Sequence, residues 1–322
     1  MTRLITGGTG YIGAELAHLL VERGENIVLF DIAINEYRVE DILKKVKIVR
    51  GDVSNWSEVM NVVKDNKITE IYHLGSMLTY VSELNPWGAF RANVVGTYNV
   101  LEAARIFGVN KIMFTSTMGT YSLLAPEVID DETIQRPTTV YGVGKLYGEG
   151  LGRFYRSKFD VDFRAIRYPA MYGPNVRTPG HWGPPMVEDA ISGRVNTCIY
   201  GIPESMMPVI YLTDAAAAAM GVLDAPKEKI KMVNYCVCGP AEAVVARDLE
   251  NKLKQRFPKF KVNYAVDAAA AEVMKKSPIV RRFDDRFARQ EWGWKPKYTT
   301  VESIIDQFAK DMKDHPKRFG LA

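Results

Sequence analysis

The sequence predicts an α/β fold in which helices cover both faces of a parallel, doubly wound sheet. Three observations lead there. Short β-rich runs alternate with helical periods through the first half of the chain. The apolar run at Leu4-Ile5 passes directly into Gly7-x-x-Gly10-x-x-Gly13 and then into helical spacing at Glu15-Leu16-Ala17-His18-Leu19-Leu20. A second apolar run, Ile27-Val28-Leu29-Phe30, ends in the acid Asp31, about twenty residues on.

Strands are expected at 2–6, 26–31, 46–50, 70–73, 111–115 and 161–167, and helices at 11–23, 54–65, 86–108 and 137–158. The order strand, glycine turn, helix is the Rossmann-type cradle for a dinucleotide. Gly7 allows the tight turn, Gly10 lets backbone approach a pyrophosphate, and Gly13 lets the helix pack close to the strand. The helix N-terminus, at Tyr11 and Ile12, offers free N–H groups to the phosphates. Asp31 can accept both ribose hydroxyls of an adenosine. A 2′-phosphate would meet that acid with no arginine close by, so the pattern predicts NAD rather than NADP.

After Tyr168 the alternation gives way to shorter mixed elements. Residues 1–167 are expected to form the main part of a dinucleotide-binding domain. Residues 168–322 are read mostly as a smaller, interleaved substrate lobe, with some segments returning to the first domain. Proline and glycine crowd Pro179-Gly180-His181-Trp182-Gly183-Pro184-Pro185, which reads as a loop or lid. Asp214 before the alanine run Ala215 to Ala219 reads as the N-cap of a closely packed helix.

Composition narrows the function classes. With 322 residues and 47% hydrophobic content the chain can bury a substantial core. No window of eighteen apolar residues occurs, so no membrane span is expected, and a strand beginning at Thr2 leaves no room for a signal peptide. Three cysteines, Cys198, Cys236 and Cys238, are too few for a disulfide framework and are expected as reduced thiols in a cytoplasmic protein. A net charge of +4 with interleaved signs gives no reason to infer a nucleic-acid or membrane partner. The scattered histidines His18, His73, His181 and His315 make no ligand cluster, so no metal is expected.

Chemistry is expected at Tyr141-Gly142-Val143-Gly144-Lys145. In a helix this spacing puts the phenol and the ammonium on one face. Both titrate near 10 when unperturbed. Beside a positively charged nicotinamide, the cations should favour tyrosinate and lower the Tyr141 pKa toward the working range. One strand-and-loop unit earlier, Phe114-Thr115-Ser116-Thr117 places hydroxyls at a carboxyl edge, where Thr117 can hold a substrate oxygen beside the phenol. Dinucleotide cradle, hydroxyl, phenol and ammonium together imply hydride transfer.

These features resemble the extended short-chain dehydrogenase/reductases, over nearly the whole chain. The resemblance rests on Gly7 to Gly13, Gly51-Asp52-Val53, His73-Leu74-Gly75-Ser76, Asn93-Val94-Val95-Gly96-Thr97 and Tyr141 to Lys145. It implies that Asp52 and Val53 flank the adenine, and that Leu74, Gly75 and Ser76 line the cofactor path. Asn93 would support the active site, and Lys145 would also reach the nicotinamide ribose. Thr117 would be the catalytic hydroxyl and Tyr141 the acid/base, with Tyr168-Pro169 beside the nicotinamide. It also implies a homodimer through helices 86–108 and 137–158, paired as a four-helix bundle.

Two branches compete. Ile134-Gln135-Arg136-Pro137, Arg167-Tyr168-Pro169, Met207-Pro208-Val209-Ile210-Tyr211 and Glu291-Trp292-Gly293-Trp294-Lys295-Pro296 resemble the zinc-free, short-chain L-threonine 3-dehydrogenases. Met171-Tyr172-Gly173-Pro174 resembles the nucleotide-sugar 4-epimerases and dehydratases. The latter usually carry an arginine shortly before the Ile-Tyr-x-x-Asp stretch, to neutralise a substrate diphosphate. Here Met207 stands there, and a thioether cannot pair with phosphate. A small polar secondary alcohol is therefore expected as substrate, L-threonine before others, with 2-amino-3-oxobutanoate as product. The departure from the threonine branch falls at Ala170 to Pro185, over the substrate.

Thr79 matches a serine of the threonine enzymes and is a candidate substrate contact, and Arg177 could meet a carboxylate. His73 is expected as hydrogen-bonded structure, Trp292 and Trp294 as packing, and Arg281 and Arg282 as a solvated face.

Overall fold

The computed structural model describes residues 1–266, 271 and 279–321. The first half runs β1 (Thr2–Thr6), α1 (Tyr11–Glu22), β2 (Asn26–Asp31), β3 (Val46–Arg50), α2 (Trp56–Asp65), β4 (Glu70–His73), α3 (Thr79–Leu84), α4 (Pro86–Ala89), α5 (Gly96–Phe107), β5 (Lys111–Thr117), β6 (Val128–Ile129) and α6 (Val140–Phe159). The second half continues with β7 (Asp162–Tyr168), β8 (Ala170–Tyr172), α7 (Gly183–Ile191), β9 (Asn196–Cys198), β10 (Met206–Met207), β11 (Val209–Tyr211) and α8 (Leu212–Asp224). It closes with β12 (Asn234–Cys236), β13 (Val244–Val245), α9 (Ala246–Arg256), β14 (Val262–Tyr264), β15 (Arg282–Phe283) and the helices Arg286–Trp292 and Val301–Asp314.

The central sheet has seven strands in the order β12-β7-β5-β4-β1-β2-β3, every neighbour parallel. The chain winds from β1 outward through β2 to β3, then returns and winds the other way from β4. The order therefore reverses beside β1, and in such sheets ligands bind outside the carboxyl ends at the reversal. The strands alternate their apolar side chains between two cores. On one face Ile5, Leu29, Tyr72 and Met113 meet Leu16 and Leu20 of α1 and the alanines of α8. On the other, Leu4, Val28, Ile71 and Phe114 meet Val59 of α2, Val100 of α5 and Tyr155 of α6. A third core joins β8, β11, α7, α9 and the helix Val301–Asp314.

Two glycines fix how near α6 lies to the sheet. A Cβ at Gly148 would come within 2.5 Å of the Phe114 ring, and one at Gly152 would overlap the Phe163 ring. The helix rests on these two rings by its own backbone. Thr139 caps it, its side chain accepting the Gly142 N–H at 3.1 Å.

Four expectations need correction. The helix expected at 86–108 is divided into α4, a π-helical turn at Phe90–Val95 and α5. The reason is tertiary: Asn93, inside that turn, bonds both main-chain groups of Met77. The loop expected through Pro185 stops at Trp182, because Gly183, Pro184 and Pro185 form the first turn of α7, where proline lacks no needed donor. Asp214 does not cap its helix. It lies in the first turn of α8, and its carboxylate accepts the N–H groups of Lys297 and Tyr298 at 2.9 Å each. The sequence reading also missed the seventh strand, β12, which is only three buried residues long.

Candidate active site

A cleft of about 600 Å³ opens at the carboxyl edge where the strand order reverses. Its walls include Gly7, Gly10, Tyr11, Ile12 and Gly13 from the first turn, Asp31, Asp52 and Val53 from the ends of β2 and β3, and Leu74, Gly75 and Ser76 after β4. Thr79, Thr117, Tyr141 and Tyr168 line the same space. Most of the residues expected at the site are thus brought together. Asn93 and Lys145 stand behind the wall, and Arg177 stands outside it.

The turn is built for close backbone approach. Gly7 has φ +67°, and a Cβ there would come within 2.8 Å of the Gly75 N; a Cβ at Gly13 would overlap the Gly7 carbonyl. At Gly10 the only neighbour within reach, among the described residues, is the Gly7 carbonyl, so that backbone faces open cleft. Asp31 steadies the turn, its Oδ2 accepting from Thr9 N at 3.0 Å and Thr9 Oγ1 at 2.9 Å. Its Oδ1 takes one contact, the Ala33 N–H at 3.2 Å, which leaves lone pairs for a ribose. Arg38 does not reach the cleft, because its guanidinium stacks over the Tyr11 ring at 4.3 Å. Glycine cradle, adjacent helix N-terminus and free acid fit an adenine dinucleotide.

Asp52 holds its own turn, accepting Ser54 N and Ser54 Oγ at 2.8 Å each. The segment after β4 is hung from β1: Gly75 N donates to Thr6 Oγ1 at 3.1 Å, and His73 Nδ1 shares that hydroxyl at 2.7 Å. His73 Nε2 meets Thr97 Oγ1 at 3.1 Å. Burial first, and the Lys145 charge second, push its pKa down to about 3. It is a neutral strut, as expected.

Tyr141 and Lys145 project inward from one face of α6, both buried. Lys145 Nζ donates to the Thr115 carbonyl at 2.7 Å and lies 5.7 Å from the Tyr141 ring centroid. Burial pushes Lys145 down to about 7, with the Glu149 charge pulling upward. The expected lowering of Tyr141 rested on Lys145 together with the nicotinamide charge; Lys145 by itself contributes none. Burial raises the phenol to about 12, and the group drawing it back is the Thr117 hydroxyl. With its charged form desolvated, the phenol keeps its proton at neutral pH in this arrangement.

Tyr168 lines the cleft, but its hydroxyl is committed to the Ala215 carbonyl at 2.8 Å. Arg177 pairs its guanidinium with Glu188 and touches the wall through its main chain, whose N–H donates to Tyr11 Oη at 3.1 Å. The side chain is therefore taken, and a substrate carboxylate would have to displace Glu188. Trp292 and Trp294 pack together near Tyr235, and Arg281 pairs with Glu127 on the surface.

Sequence reasoning passed over Ser54, Arg91 and Met118 as lining residues, whereas Thr178 and His181 fall in the stretch it placed over the substrate. Arg91, two positions before Asn93, donates to Ser54 Oγ at 3.1 Å. Ser54 could have been found from the Asp-x-Ser turn that follows β3. Arg91 and Met118 carry no local signal.

The NAD dependent epimerase/dehydratase family matches residues 3–238. The chain belongs to that family. It is an NAD-dependent dehydrogenase of the extended short-chain type, with NAD as cofactor. Over 307 residues it is 29% identical to the mitochondrial L-threonine 3-dehydrogenase of Sus scrofa, covering 94% of this chain and 80% of that one. The solved L-threonine dehydrogenase of Phytophthora infestans superposes with a TM-score of 0.87 at 27% identity, covering 98% and 99% of the two chains. The UDP-glucose 4-epimerase of Thermotoga maritima shares the fold, at TM-score 0.82 and 20% identity over 98% and 99%.

Proposed function

We propose that this dehydrogenase oxidises the secondary alcohol of a small polar substrate, L-threonine foremost, to 2-amino-3-oxobutanoate. The observation carrying this reading is the convergence of Thr117 and Tyr141 on the cleft that also holds Gly10 and Asp31. When bound, NAD supplies the hydride acceptor. In its ionised form Tyr141 Oη takes the proton of the substrate hydroxyl and becomes the neutral phenol, and Thr117 Oγ1 holds the same oxygen. Thr117 is preset for this: its Oγ1 already accepts the Gly119 N–H at 3.0 Å, which fixes the rotamer. Lys145 and the Thr115 carbonyl fix the floor beneath them. Gly7, Gly10, Gly13, Asp31, Asp52 and Val53 would hold the cofactor, with Leu74, Gly75 and Ser76 along its path and Thr79 toward the substrate.

Met207 in the cleft wall supports a small substrate, since no phosphate pairs with a thioether. NADH formation from NAD⁺ and L-threonine, abolished in Tyr141→Phe, is the expected result; turnover untouched by Tyr141→Phe would reject the mechanism. The alternative, a nucleotide-sugar 4-epimerase or dehydratase that retains its NAD, is favoured by the sequence Met171-Tyr172-Gly173-Pro174, of which Met171 lines the cleft. Conversion of UDP-glucose without net NADH would establish it instead.

We also propose a cytoplasmic homodimer. Tyr98 and Ile106 of α5 and Val143, Tyr147 and Phe154 of α6 stand exposed, an apolar face suited to a second copy. Light scattering on the purified chain would return twice the monomer mass, and a monomer at micromolar concentration would refute it.

A further inference from the structure

Beyond the helix Val301–Asp314 the chain crosses back to the start of α1, and two consecutive residues take hold of it there. The Arg318 guanidinium meets Oε2 of the buried Glu15 at 2.7 Å. Phe319, also buried, forms a small core with Val176 and Leu212, and Tyr11 and Met171 pack against that core. Tyr11 and Glu15 are four residues apart on α1, so they share one face of the helix. Gly320, at φ +64°, closes the segment. Its N–H donates to the Lys317 carbonyl at 2.9 Å, and a Cβ there would come within 3.2 Å of the Tyr37 ring.

The grip matters because of what Tyr11 touches. This residue opens α1, whose first turn offers free N–H groups to a pyrophosphate, and it lines the cleft. Its hydroxyl accepts the Arg177 N–H at 3.1 Å, and its ring carries the Arg38 guanidinium at 4.3 Å. Val176, next to Arg177, is fully buried, and two residues on Thr178 lines the cleft. A single anchor at Phe319 therefore braces both the phosphate end of the dinucleotide cradle and the loop beside it.

We propose that Arg318 and Phe319 are positioning residues for the dinucleotide: residues 316–321 form a strap that holds Tyr11 and the loop 175–178 in place for the cofactor. With the strap released, binding has to order these groups itself, and affinity falls.

The test is NADH affinity, read by nucleotide fluorescence on the whole chain, and it does not depend on which alcohol is oxidised. In Phe319→Ala the dissociation constant should rise about tenfold, and Phe319→Leu, which keeps an apolar anchor, should restore most of the affinity. Arg318→Met should raise it about threefold. Phe260→Ala removes a buried ring from the third core, away from the cleft, and should bind NADH as the parent does. Equal weakening in Phe319→Ala and Phe260→Ala would mean a general loosening of the fold and overturn the proposal. Parent-like binding in a folded Phe319→Ala would overturn it too. Should Phe319→Ala not fold, Arg318→Met decides: weaker NADH binding supports the strap, and parent-like binding removes it.

Discussion

Asn93 and Met77 hold one another by a reciprocal pair of hydrogen bonds. Asn93 Nδ2 donates to the Met77 carbonyl at 3.0 Å, and the Met77 N–H donates to Asn93 Oδ1 at 2.8 Å. The amide thus closes a ring with the backbone of the segment that follows β4. The Asn93 carbonyl in turn accepts from Thr97 Oγ1 at 2.7 Å, and that hydroxyl meets His73. A continuous chain of bonds runs from the π-helical turn to the strand end below the cleft.

Replacing Asn93 by leucine removes both bonds and leaves two main-chain groups of Met77 to find water. A loss of about 2–3 kcal/mol in unfolding free energy is expected. The segment 74–78 should loosen, so KM for NAD should rise more than kcat falls. Denaturant melts and cofactor titration of Asn93→Leu check both.

With Tyr141 held up at about 12 by burial, alcohol oxidation requires the form that is scarce at neutral pH. The oxidation rate should therefore climb as pH rises from 7 toward 10, and ketone reduction with NADH should fall over the same range. Thr117→Val removes the hydroxyl that draws the phenol down. It should shift the oxidation profile to higher pH and lower kcat by about a hundredfold, whereas Thr117→Ser should retain the profile.

Glu149, fully buried one turn beyond Lys145, ties three strands together. It accepts from Ser116 Oγ at 2.5 Å on β5, from Arg167 Nε at 2.9 Å and Nη2 at 2.8 Å on β7, and from Asn234 Nδ2 at 2.8 Å on β12. Burial pushes its carboxyl up, but the Arg167 guanidinium and the hydrogen bonds from Ser116 and Gln135 together more than offset this and hold it below the ordinary value. Glu149→Gln leaves the buried Arg167 charge unbalanced and should cost about 3–5 kcal/mol. Calorimetry would read this as a large drop in Tm, while the conservative Arg167→Lys should lose less.

His73 sets an acid limit. Its folded pKa of about 3 lies below the ordinary 6.5, so between those values the unfolded chain binds a proton that the folded one refuses. Stability then falls as pH drops through this window, by up to about 5 kcal/mol from this group. His73→Gln, compared with the parent by urea melts from pH 7 to pH 4, should show a flatter dependence. Parallel curves would remove His73 from the account.

Features governed by local chemistry were legible in the sequence. The glycine turn, the strand ending in Asp31 and the spacing of Tyr141 and Lys145 express steric rules that act within a few residues. Each of the six expected strands is observed, to within two residues at either end. What escaped was set by distant partners. Nothing near Asn93 announces that its amide will bond Met77 and break a helix. The engagement of Arg177 by Glu188 joins a loop to α7, a helix that the sequence reading did not predict. Titration was the hardest to foresee, since spacing gives which groups are neighbours and says nothing of how much water they lose.

Gly148 and Gly152 let α6 sit one ring's thickness above β5 and β7. The gap between a phenol on the helix and a hydroxyl on the strand is then gauged by Phe114 and Phe163, like shims under a beam. A methyl group added at either glycine would tilt the whole rod and swing Tyr141 off its target without touching any ligand. On this helix, the positions least tolerant of change should be those with no side chain at all.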